Sequence, residues 1–185
     1  MPSPALPGPQ DWADRRYGSG QARFAEASVL AADQCPVREV RFGEIVHLDL
    51  EIVAREGVRD LSVSFLVRDA SGIDVMGTTT ADERIRVGEL AAGGRRRVRF
   101  SWRSRLRSGG YGVCIALLGR PANHEDDTPP LLLDQIDAAA WFAIPWQDDR
   151  PIHYKFHEDV AIEVSDPTAD GGRPGAHAAP TIIPS

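Results

Sequence analysis

Glu44-Ile-Val-His-Leu-Asp-Leu-Glu-Ile-Val53 decides the fold class of this chain. Val46, Leu48, Leu50 and Ile52 alternate with His47, Asp49 and Glu51. A period of two is the mark of a β-strand with one face on a core and one in water. An amphipathic helix would need apolar residues three and four apart.

The pattern recurs outward from this strand. In 60–69, Leu61, Val63, Phe65 and Val67 share one face, and Ser62, Ser64 and Arg68 the other. In 95–103, Val98, Phe100 and Trp102 point in, and Arg95, Arg97 and Arg99 point out. In 110–118, Tyr111, Val113, Ile115 and Leu117 point in. The outer residues there, Gly112, Cys114, Ala116 and Leu118, are small and apolar. Further strands are expected at 21–30, 73–79, 84–87 and 136–144, with another at 160–164. Glu56-Gly57, Ser71-Gly72, Gly93-Gly94 and Ser108-Gly109-Gly110 supply turns between them. No amphipathic helix competes. The expectation is an all-β, antiparallel two-sheet sandwich of about eight or nine strands. By analogy, Tyr111 stands where such sandwiches carry a tyrosine corner.

Residues 1–19 are rich in Pro, Gly and charge and read as an arm or linker. Residues 165–185 read as a disordered tail. Residues 20–164 form the expected sandwich domain. The start of the chain has neither a basic region nor an apolar stretch of the secretory type. No apolar run reaches membrane-spanning length, so direct membrane insertion is not expected. Cys35 and Cys114 have no metal-like spacing and read as free thiols in a reducing cytoplasm, a bridge being the lesser alternative.

The net charge is −6 and the pI about 5.3, and Lys155 is the only lysine. There is no basic surplus to neutralise phosphates, which argues against nucleic acid as a partner. The phosphate-cradling Gly-x-x-x-x-Gly-Lys loop is absent, and so is the Gly-x-Ser-x-Gly elbow of serine hydrolases. His153 and His157 are four apart, but a Tyr-Lys-Phe spacer lacks the Glu of a zinc protease, and Pro151 opposes a helix there. The acidic runs Glu125-Asp126-Asp127 and Asp148-Asp149 lack the alternation of a calcium loop. No carboxylate pair stands out for glycoside hydrolysis. No catalytic residue, metal or cofactor is therefore expected.

Two surfaces remain for binding. Trp141, in Asp137-Ala-Ala-Ala-Trp-Phe-Ala-Ile144, points outward while Phe142 and Ile144 point in. If strand 136–144 neighbours strand 110–118, the indole stands over Gly112, Cys114 and Ala116. A flat ring above a small-residue floor suits a sugar, which has apolar C–H faces and polar rims. Ser62, Ser64 and Arg68 on a nearby strand would bond its hydroxyls. The equally weighted alternative is a face covered by a second copy or by the C-terminal segment. Trp12, Tyr17 and Trp146 fall in expected loops. The second surface carries His47 and Asp49 opposite Arg97 and Arg99. A solvated charge ladder explains it better than a ligand site.

Several stretches resemble one family in order and spacing. They are Arg16-Tyr-Gly-Ser-Gly-Gln-Ala-Arg-Phe24, Phe42-Gly-Glu-Ile-Val-His-Leu48, Gly72-Ile-Asp-Val-Met-Gly-Thr-Thr-Thr80, Leu106-Arg-Ser-Gly-Gly-Tyr-Gly-Val113 and Asp134-Gln-Ile-Asp-Ala-Ala-Ala-Trp-Phe-Ala-Ile144. Together they resemble the C-terminal carbohydrate-binding domain of O-antigen ABC transporter ATPase subunits, with Met76 in place of the usual aromatic and Thr79 in place of the usual Asn. The resemblance covers residues 15–164. It implies an immunoglobulin-like sandwich, often a homodimer, that binds a lipopolysaccharide O-antigen glycan in the cytoplasm. It also implies transporter ATPase or permease components as partners. The ATPase domain of that family is not in this chain, so ATP hydrolysis is not expected of these residues. The alternative function is a sandwich for dimerisation or protein docking, without glycan affinity.

Overall fold

The stretch 44–53 forms a strand, Ile45–Ala54, whose side chains alternate between buried and half-buried along its whole length. Val46, Leu48, Leu50 and Ile52 are fully buried. Each such side chain contributes roughly 1.5–3 kcal/mol on leaving water. This is β3 of eight strands among the described residues. The computed structural model describes residues 9–123, 129–162 and 164.

The others are β1 (Arg16–Tyr17), β2 (Ala22–Leu30), β4 (Val58–Asp69), β5 (Asp74–Thr79), β6 (Arg95–Arg103), β7 (Gly109–Pro121) and β8 (Leu131–Ile144). They make an antiparallel sandwich of two sheets, one ordered β1-β8-β7-β4-β5 and the other β2-β3-β6. No α-helix occurs among the described residues. The core lies between the sheets, where Leu48 and Leu50 of β3 join Val63, Phe65 and Val67 of β4 and Val113, Ile115 and Leu117 of β7. Tyr111 donates its hydroxyl to the carbonyl of Arg107 at 2.7 Å, four residues upstream. That is the bond of a tyrosine corner.

Two expected strands are absent. Residues 84–87 start in a turn, with Arg84 at φ 59° and Ile85 exposed, and find no strand partner. Residues 160–162 and 164 are unpaired, and Val160, Ile162 and Val164 lie in solvent. Strand β8 also begins five residues earlier than expected, at Leu131.

Part of the expected arm is packed. A 3-10 helix spans Pro9–Arg15, and Trp12 is buried with its Nε1 donating to the carbonyl of Ala139 at 3.2 Å. Arg16 then points inward and forks onto Asp134 of β8, with Nε to Oδ1 and Nη2 to Oδ2 both at 2.9 Å. Asp134 is 1% exposed and also accepts the Phe24 amide of β2 at 2.7 Å. One carboxylate thus ties β1 and β8 of the first sheet to β2 of the second. Gly18 follows at φ 127°, where a Cβ would sit 2.5 Å from the Leu133 carbonyl oxygen. Only glycine fits that crossing. Residues 1–8, 165–185 and the run Glu125-Asp126-Asp127 lie outside the described residues.

Candidate functional site

Period two and the strand pairings fix which residues share the outer face of the five-stranded sheet. Trp141 of β8 is opposite Gly112 of β7, which is opposite Arg68 of β4. Arg68 in turn forms an ion pair with Asp74 of β5, Nε to Oδ1 at 2.8 Å. The row therefore reads Trp141, Gly112, Arg68, Asp74. The bonded Asp74 carboxylate holds the Arg68 guanidinium more firmly protonated than usual. A second row reads Tyr17, Gln135, Ala116, Ser64, Thr79. Gly112 and Ala116 are four residues apart, so the two rows are separated by roughly 13 Å along the strands.

The indole of Trp141 lies on Gly112. A Cβ at that glycine would be 3.4 Å from two carbons of the ring, so the ring rests flat on bare backbone. Trp141 remains 38% exposed. Between the rows, Cys114 is buried and Leu66 exposed. Strand β8 bulges beside Cys114, where Ala138 at φ 52° turns its amide to the Cys114 sulfur at 3.5 Å. Asp137 at this bulge accepts a bond from Gln135 at 3.4 Å. The result is one aromatic plate, a small-residue floor and a polar margin of Arg68, Asp74, Asp137 and Gln135.

The structure brings Trp141, Arg68 and Ser64 onto this face, with Ser64 one row away and bonded to the Ala116 carbonyl at 3.5 Å. Ser62 is not part of the plate. It stands six residues from Arg68 along β4, roughly 20 Å away, and lines a separate recess of about 610 Å³ with Asp60, Thr80 and Glu89. Tyr17 was expected in a loop. Instead it is half-exposed in β1 on the same face as Trp141. A two-residue strand has too little sequence to show a period. Of the other expected loop aromatics, Trp12 is core, and Trp146 bonds Asp148 at 2.7 Å beside His153.

The second surface is the outer face of the three-stranded sheet. Asp49 is opposite Arg99, Glu51 opposite Arg97, and His47 opposite Ser101. Arg99 forks onto Asp49, with Nη2 to Oδ2 at 2.7 Å, and also bonds Gln34. Arg95 reaches diagonally to Glu51 at 2.7 Å, and His47 Nδ1 meets Ser101 Oγ at 2.7 Å. These polar groups satisfy one another, as in a solvated ladder. The Arg99 bonds, with Arg97 charge nearby, hold the Asp49 carboxyl below its usual 3.8. A depressed folded-state value adds stability above the unfolded value, and that stability is lost as pH falls through about 4 to the folded value. The expected size is a few tenths of a kcal/mol for so exposed a pair. Asp49→Asn should therefore flatten the acid limb of a stability–pH curve by that amount and leave neutral behaviour within it.

Cys35 is exposed, Cys114 is buried, and both are free thiols. Among the described residues no group of three or more His, Cys, Asp or Glu side chains is placed to hold a metal ion. Among the described residues no helix is long and apolar enough to cross a membrane.

Comparison with known proteins starts from the matched family model. The model for the Wzt C-terminal domain matches residues 13–154. A crystal structure of the C-terminal domain of Wzt superposes with a TM-score of 0.70 at 14% identity, covering 81% of this chain and 87% of that one. At that identity the likeness concerns the fold. A Niemann-Pick type C2 protein from Japanese carpenter ant gives a TM-score of only 0.42 at 8% identity, over 70% of this chain and 98% of that one. The Pseudomonas fluorescens DNA glycosylase AlkC gives 0.41 at 14% identity, over 68% and 30%. Neither carries an argument. No curated protein matches the chain. The family model spans most of the sandwich from Trp12's neighbour to Tyr154, and on that match the chain belongs to the Wzt C-terminal domain family, accessory domains of the O-antigen ABC transporter.

Proposed function

We propose that this domain is a non-catalytic binding module that recognises an O-antigen-type polysaccharide on the outer face of the five-stranded sheet, in the service of ABC-transporter export. The observation that carries the reading is the Trp141 indole lying flat on Gly112 with 38% of its surface open. A sugar ring offers C–H groups to such a plate and hydroxyls to its margin. Arg68, Asp74, Asp137 and Gln135 are the margin, with Ser64 and a second aromatic, Tyr17, further along the face. Binding here needs no proton transfer and no metal. The domain would recognise the glycan in the cytoplasm, and transporter ATPase or permease components would be its partners.

The test is titration of the chain with purified O-polysaccharide from the source strain, followed by calorimetry and tryptophan fluorescence. Saturable binding with a change in indole emission is expected. Absence of binding to that polysaccharide would sink the reading.

A second reading has its own observation. Leu66, Leu118 and Leu132 are each more than a third exposed on the same face as Tyr17 and Trp141. Such an apolar patch also suits a second copy of the chain. Sedimentation separates the two: a tight dimer that quenches Trp141 and ignores glycan favours docking.

A further inference from the structure

The Trp141 plate sits where it does because β8 bulges. Along the β7 ladder, Ile136 is opposite Ile115 and Ala140 is opposite Val113, so Asp137, Ala138 and Ala139 together face Cys114. Two of those residues are extra. An unbroken ladder from Ile136 would set Ala139 opposite Gly112 and Trp141 opposite Gly110, roughly 7 Å from where the ring now lies. The insertion brings Trp141 to Gly112 and keeps it on the outer face, because an even number of extra residues preserves the alternation. Ala138 carries the turn at φ 52°. A residue with a Cβ holds that conformation only where its surroundings impose it.

The surroundings of the bulge are supplied by the stretch from Trp12 to Arg16. Extra residues in a strand leave backbone groups with no ladder partner. Here side chains take that part. Trp12 Nε1 donates to the Ala139 carbonyl at 3.2 Å and Arg15 Nη1 to the Ala138 carbonyl at 3.4 Å, while the Ala138 amide points to the Cys114 sulfur. Trp12 and Ala139 are each 1% exposed, so water does not compete for their bond. Arg16 sits over the Trp12 ring, forks onto Asp134 and pairs with Ile136 just before the bulge. Among the described residues, no strand or bridge accompanies that side of β8 again until Glu39 meets Ala143. Trp141 lies inside this open interval.

We infer that Trp12, assisted by Arg15, is a positioning residue for the plate: residues 12–16 brace the β8 bulge from its open edge and so hold Trp141 over Gly112. The consequence for glycan rests on the plate being the glycan site; the brace itself does not. Trp12 touches no ligand in this scheme and acts through the Ala139 carbonyl. The brace links the plate to the N-terminal stretch of the domain. A glycan that binds only the correctly set plate favours the docked stretch, and a displaced stretch weakens the glycan by the same factor. Tyr17, which the same stretch sets opposite Gln135 on the binding face, moves with it. A side chain that only fills core would lower stability when truncated and would leave the position of Trp141 alone.

The experiment uses the full chain with Trp12→Phe, which keeps an aromatic ring under Arg16 and removes the N–H from the Ala139 carbonyl. Val46→Ala, on the core face of β3 in the other sheet, is the comparison for lost packing alone. The first readout needs no ligand: the indole N–H resonances of Trp141 and Trp146 in the isotope-labelled chain. Trp12→Phe should shift or broaden the Trp141 signal and leave Trp146 in place, and Val46→Ala should leave both. Arg15→Met should move the Trp141 signal to a smaller extent, and it carries the test should Trp12→Phe not fold. The second readout is calorimetric titration with purified O-polysaccharide from the source strain. Trp12→Phe should weaken binding about tenfold and Val46→Ala by no more than about twofold. Saturation of the wild type with glycan should slow exchange of the Trp12 indole N–H. An unmoved Trp141 signal in the folded variants overturns the inference, and so does equal weakening by Trp12→Phe and Val46→Ala. If the wild type binds no polysaccharide, the glycan reading falls and the Trp141 signal alone decides the brace.

Discussion

Asp134→Ala should destabilise the domain by about 3–5 kcal/mol, the cost of removing one partner from a buried ion pair. Chemical denaturation at neutral pH measures it. Asp134 is 1% exposed, while the Arg16 side chain keeps 21% of its surface. That residual contact with water lets Arg16 hydrate in part and places the expected value toward the lower end of the range. Two further losses offset this relief. The Phe24 amide loses its acceptor, and a buried donor without a partner costs about 1–3 kcal/mol. Trp12, over whose ring the Arg16 guanidinium sits at 5.3 Å, loses a fixed neighbour. The double variant Arg16→Met, Asp134→Leu should recover much of the loss, because two apolar groups leave no buried charge behind. An Asp134→Ala variant within about 0.5 kcal/mol of wild type would mean that the fork does not tie the sheets together.

The same pair shows where sequence reading reached its limit. The alternation of 44–53, 60–69, 95–103 and 110–118 survives in the structure because each strand has one face on a single core, so period two is written directly into the residues. Ile85-Arg86-Val87 and Val160-Ala161-Ile162 alternate as well, yet neither is a strand. Alternation states which face would be buried but not whether an edge is available to pair with. Strand β8 was legible only from residue 136 because a buried carboxylate at Asp134 interrupts its apolar run, and the bulge at Ala138 shifts the period. Arg16 and Asp134 are 118 residues apart, and nothing local in either stretch announces the other. They were visible only as members of motifs in a family resemblance, where their job as a fork could not be read. The binding face divides in the same way. Trp141 over Gly112 follows from parity plus one strand pairing. Ser62 drifts from the plate because β4 is long enough to carry it to another recess, and Tyr17 joins because a two-residue strand closes the sheet edge.

Trp141→Ala should weaken binding of the O-polysaccharide by roughly 30-fold or more, the effect of truncating a central aromatic anchor worth about 2 kcal/mol. Calorimetric titration of both chains with one polysaccharide preparation measures it. The loss concerns binding rather than folding, since the ring lies on the outer face with 38% of its surface in water. Thermal unfolding should accordingly shift little. Trp141→Phe keeps a flat ring over Gly112 and should fall between the two. Gly112→Val acts from below: its Cβ would already touch the indole at 3.4 Å, so its two further methyl groups have to displace the ring from its bed. The paired result discriminates the two readings of the face. Weakened glycan binding with unchanged sedimentation places the sugar on the plate. Unchanged glycan binding, with a dimer lost on Trp141→Ala, makes the same indole a contact between protein copies.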